Sequence, residues 1–76
     1  MKTYKRRYKE LKRNAYMLIE GYRVKIRQAN WHLGWKDLTD KEISAWSIIR
    51  KMAINSAKEL SQLFEYEWKK EYEEER

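Results

Sequence analysis

The stretch His32-Leu33-Gly34-Trp35-Lys36-Asp37-Leu38-Thr39-Asp40-Lys41-Glu42-Ile43 decides the fold, because it ends one helix and starts another. Thr39 is a good N-cap, and Glu42, three residues on, completes a capping box. Asp40 lies in the first turn, where the helix dipole favours an anion. Leu38 and Ile43 flank the cap at the spacing of a hydrophobic staple. Gly34 sits where a left-handed cap residue is expected for the preceding helix. Trp35 is expected to fold back over that helix's last turn.

Outward from this stretch the two halves mirror each other. Tyr4, Tyr8, Leu11, Ala15, Leu18, Tyr22, Ile26, Ala29 and Leu33 step at a helical period on one side. Trp68, Phe64, Leu60, Ala57, Ile54 or Ala53, Ile49, Trp46, Ile43 and Leu38 match them in reverse on the other. Two helices folded back on each other require this pattern. The expected fold is an all-α antiparallel hairpin with helices over about residues 3–33 and 40–74. At ~1.5 Å per residue they are about 45 and 52 Å long. A linker of about five residues makes them antiparallel neighbours. The middle of each helix is more apolar than one seam needs, as in Ala15-Tyr16-Met17-Leu18-Ile19 and Ile48-Ile49 with Met52-Ala53-Ile54. The excess predicts dimerisation into a four-helix bundle through Tyr16, Ile19, Ile48, Met52 and Tyr72, the last projecting past its partner helix.

With 76 residues, the chain reads as one domain near the lower limit for a single core. It has no cysteine, which removes disulfides, thiolate metal sites and a cysteine nucleophile. No secretory leader is legible in the charged run Lys2 to Arg13, and no apolar run reaches the ~18 residues of a membrane span. Cytoplasmic residence and no membrane partner are the default expectation. Lys, Ile, Tyr and Glu are favoured over Pro, Gly and Ala, which suggests an AT-rich genome and fits a small viral or mobile-element protein as well as one of a bacterial host.

The net charge of +6 is unevenly spread. Residues 1–30 carry +8, residues 31–64 carry +1 and residues 65–76 carry −3. The antiparallel register predicts that the acidic end lies beside the basic start, with Arg7 facing Glu65, Lys5 facing Glu67 and Arg13 facing Glu59. Each such exposed pair contributes only ~0–1 kcal/mol, but together they disfavour a slipped pairing.

Nothing supports catalysis. His32 is the single histidine and reads as a helix-end residue. The serines sit on the second helix, and the glutamates fall mostly on a solvated face rather than in a paired acid–base site. No metal-ligand spacing and no cofactor motif occur. Two surfaces remain as candidates for binding. Trp31 and Trp35 flank Gly34, with Arg23, Arg27, Lys36, Arg50 and Lys51 around them, and Trp and Arg are enriched at binding hot spots. The segment Lys2-Thr3-Tyr4-Lys5-Arg6-Arg7-Tyr8-Lys9 interleaves cations with aromatics, and Lys5, Arg6, Lys9, Lys12 and Arg13 would suit phosphates. The expected function is a small non-enzymatic regulator or inhibitor that docks on a larger protein through the tryptophan end. The alternative is a basic nucleic-acid-binding regulator that uses that end or the N-terminal arm.

Overall fold

The computed structural model describes residues 2–76, with side chains from Tyr4 onward. Met1 and the side chains of Lys2 and Thr3, which the expected basic arm includes, lie outside the described residues. The chain is an all-α hairpin. Helix α1 spans Lys2–Leu33, helix α2 spans Asp40–Leu63, and a 3-10 turn spans Lys70–Glu73. Overall dimensions are 56 × 21 × 14 Å.

The start of α2 is the capping box expected from its sequence. The Glu42 backbone N–H donates to Thr39 Oγ1 at 3.2 Å, and the Thr39 backbone N–H donates to Glu42 Oε1 at 3.1 Å. The end of α1 differs from expectation, since neither glycine has a positive φ. Gly34 and Trp35 instead donate to the carbonyls of Trp31 and His32, at 3.2 and 3.0 Å. The helix closes by tightening its last turn, which satisfies two otherwise orphaned carbonyls without a left-handed residue.

The larger correction concerns the second helix, which stops at Leu63 rather than near residue 74. Its end is a Schellman arrangement. Phe64 N–H donates to Leu60 O at 3.1 Å, Glu65 adopts φ 57°, and Tyr66 N–H reaches Ser61 O at 2.9 Å. Beyond it the sequence Phe64-Glu65-Tyr66-Glu67-Trp68 alternates aromatic and acidic residues, a period of two that fits extended chain and not helix. Burial follows that alternation: Phe64 is buried, Tyr66 and Trp68 are half-buried, and both glutamates are exposed.

The tail therefore reverses and runs back along the groove between α1 and α2 toward the hairpin turn. Trp68 packs on the core formed by Ile26, Ala53 and Ile54. A third wall changes which residues are inside. Ile19, which faces between α2 and the tail, is fully buried, whereas the seam residue Leu18 is half-exposed. Ala15, Ala29, Ala53 and Ala57 are all buried, so the helices approach through small side chains and the core is thin.

Three of the five expected dimer residues are thereby used within the chain. Ile19 is core. Tyr16 donates its hydroxyl to Phe64 O at 3.1 Å and packs edge-on against Tyr66. Tyr72 is in the 3-10 turn, not on α2, and rests under Arg23 and beside Trp68. Ile48 and Met52 stay open, 58% and 64% exposed.

Candidate functional site

The expected mirror register is met where the Tyr8 and Phe64 rings lie 6.1 Å apart, but nearer the turn Ile26 lies with Ala53 and Ile54 rather than opposite Trp46, which stacks on His32 instead. Beyond the level of Tyr8, toward its start, α1 has no partner helix, so Tyr4 is 71% exposed and does not meet Trp68. At 100° per residue, Lys5, Arg6, Lys9, Lys12 and Arg13 fall on one arc of α1, on its tail side and outward face. The tail covers that side of α1 only from about Tyr16 to Asn30. Lys5, Arg6, Lys9 and Arg13 are exposed on the same helix that the tail protects further along, while Lys12 is half-buried with its Nζ 5.6 Å from the Tyr16 ring centroid.

Of the tail's acids, Glu73 and Glu75 are docked away from these cations, near the turn, while Glu65 lies between Phe64 and Tyr66 at the level of Tyr8 to Tyr16. Among the described residues, the ion pairs of the tail are Arg23 to Glu75 at 2.8 Å and Lys58 to Glu73 at 3.3 Å. None joins Glu65, Glu67 or Glu59 to Arg7, Lys5 or Arg13, and the expected charge-matched register does not form. Once the chain turns at Glu65, the tail carries its charge to the opposite end of α1. Lys5, Lys9, Glu10, Arg6 and Arg13 line a shallow surface groove at the basic end.

Two cations assigned to the tryptophan end serve the tail. Arg23 stacks at 3.7 Å over the Tyr72 ring and pairs with both Glu75 and Glu20. Burial opposes its charge, but the Glu75 hydrogen bond and the nearby carboxylates outweigh that and hold its proton more firmly than usual. Arg50 donates Nε to Asn30 Oδ1 and Nη2 to Glu73 O, both at 2.6 Å. Asn30 Nδ2 completes the clamp on the Glu73 and Glu75 carbonyls, at 3.0 and 2.8 Å. Asn30 belongs to no motif in the sequence. Its one signal there is its placement seven residues after Arg23, on the same flank of α1.

What remains at the turn is an aromatic cluster. Trp31 packs edge-on against His32 and Trp35, at 5.1 and 5.2 Å between centroids. His32 stacks at 4.2 Å, nearly parallel, on Trp46 of α2, and its Nδ1 donates to Gln28 O at 2.8 Å. His32 and Trp46 tie the two helices together, while Trp31 and Trp35 are 59% and 49% exposed. Arg27, Lys36 and Lys51 are exposed. No helix among the described residues is long and apolar enough to cross a membrane. Comparison with protein-family models, curated proteins and solved structures finds no match for this chain.

Proposed function

We propose that this chain is a nucleic-acid-binding protein that holds phosphates on the basic arc of α1. The observation that carries this reading is the path of the tail. Glu73 and Glu75 dock at the other half of the helix, and among the described residues no ion pair holds Lys5, Arg6, Lys9, Lys12 or Arg13. Five cations on one helical arc attract a polyanion and release its counterions on binding. A neutral alanine face in their place would have no such ligand.

The test is a titration of the protein with random single-stranded and duplex oligonucleotides over a range of salt. Affinity should fall steeply with salt. Replacing Lys5, Arg6, Lys9 and Arg13 together by Ala should flatten the dependence, by about 0.7–0.9 in log–log slope for each phosphate no longer neutralised. No detectable binding at low salt overturns the reading.

That result would leave the protein-docking reading, which the half-exposed Trp31 and Trp35 favour. On it, the two indoles with the Arg27 and Lys36 rim anchor a larger protein. Self-association is a further part of the proposal. The side of the hairpin away from the tail carries Leu18, Ile49 and Met52, exposed and apolar on adjacent helices. A second copy laid on that side, with Ile48 at its edge, would give the four-helix bundle.

A further inference from the structure

The bare cations and the exposed tryptophan lie on one line. Lys9 and Arg13 are four residues apart on α1, and so are Arg27 and Trp31. The second pair follows the first by 18 residues, which is five complete helical turns. Both pairs therefore point the same way, and all four residues are exposed, with the tail's Tyr66 reaching the arc between them. Glu20 lies on the arc between them. It is engaged by Arg23 and by the Tyr66 hydroxyl, at 3.3 and 2.5 Å, and because Arg23 also pairs with Glu75, Glu20 remains an anionic point that the strand must pass between the two pairs.

The geometry points to a two-point site for single-stranded nucleic acid along this face, in which Lys9 and Arg13 hold phosphates at one end, Arg27 holds one at the other, and a base stacks on Trp31. This rests on the nucleic-acid reading above. The pairs are ~27 Å apart, about eight nucleotides at the 3.4 Å spacing of a stacked strand. One observation favours a single strand over a duplex. Trp31 is 59% exposed, with His32 and Trp35 meeting it edge-on, and an unpaired base offers it a π-face that a duplex keeps stacked away.

The experiment follows tryptophan fluorescence and affinity for a ~15-nucleotide oligothymidylate, a ~5-nucleotide one too short to span the two pairs, and a ~15-base-pair duplex. The long single strand should bind tightest and quench the fluorescence. Trp31→Ala should lower its affinity about tenfold and remove most of the quench, the size expected for one stacked base. Arg27→Ala should lower it several-fold and reduce the salt slope by about 0.7. Both changes should lower affinity for the short strand less than for the long one, since the Lys9 and Arg13 end still binds it, and Lys25→Ala, on another face, should affect nothing. If the Trp31 and Arg27 variants bind the long strand as the unaltered protein does, the two-point site is wrong. The basic arc would then bind alone, and the indoles would fall to protein docking. Duplex binding as tight as single-strand binding also overturns it. Absence of binding to every oligonucleotide at low salt overturns both this inference and the reading beneath it.

Discussion

Glu65 is the residue on which the chain's path turns. Its φ of 57° lies in the left-handed region, where a side chain costs roughly 1–2 kcal/mol relative to ordinary helix geometry. Glycine has no such cost, so Glu65→Gly should stabilise the protein by about 0.5–1 kcal/mol and raise its melting temperature by a few degrees. Were the helix continuous to residue 74, the same change would place glycine in a helix interior and cost about 1 kcal/mol. Thermal melts of the two proteins therefore read the turn by the sign of the shift, and a lowered melting temperature would contradict it. Gly34, by contrast, needs no special backbone. A Cβ there would meet only ordinary contacts at 3.4 Å and beyond, so its glycine identity does not explain the end of α1.

The tail is held as an element by few but specific contacts. Trp68 supplies apolar cover, Arg50 and Asn30 grip two carbonyls, and Glu73 receives Trp68 Nε1 at 3.2 Å as well as Lys58. Partial burial pushes the Glu73 carboxyl up, but those two donors outweigh it and hold its pKa below the ordinary carboxylate value. A depressed carboxylate adds stability above its unfolded pKa of ~4.3 and loses it as pH falls through the folded value. Glu73→Gln should therefore flatten the fall in melting temperature between about pH 5 and 3. The difference should be at most about 1 kcal/mol, because Lys58 is half in solvent. Glu42, whose pKa the Thr39 backbone and hydroxyl lower, keeps its own part of that acid limb. Identical acid limbs for the two proteins would show that the tail does not hold Glu73 in this way.

For the whole molecule, the folded tail separates charge rather than cancelling it. One end of α1 is strongly basic, and the acidic tail covers the half next to the turn. The wide apolar middle is likewise divided, part going under the tail and part staying open on the far side. The proposed dimer would bury that open part. Light scattering at micromolar concentration should give about twice the chain's 9.5 kDa. A monomeric mass with a cooperative melt would mean that the tail alone completes the core.

The sequence by itself determined the hairpin. Its signals are local: the Thr39 and Glu42 cap, the short linker and helical periodicity through Tyr8, Ala15, Ala57 and Phe64 each act within a turn or between directly opposed residues. It also marked the exposed tryptophans and the cationic run. The path of the last thirteen residues was only partly legible. Phe64 and Trp68 fit a helical seam at spacing four, and Phe64, Tyr66 and Trp68 fit an extended strand at spacing two. No breaker chooses between them. The tertiary structure decides, because α1 and α2 together create a groove that neither has alone, with Ile26 and Ile54 as its floor and Arg23, Asn30 and Arg50 on its walls. Burying Trp68 and satisfying the tail's carbonyls there outweighs about three more turns of exposed acidic helix. That same choice leaves Lys5, Arg6, Lys9 and Arg13 without an ion pair among the described residues, and so shifts the place to look for function from the turn toward the outer face of α1.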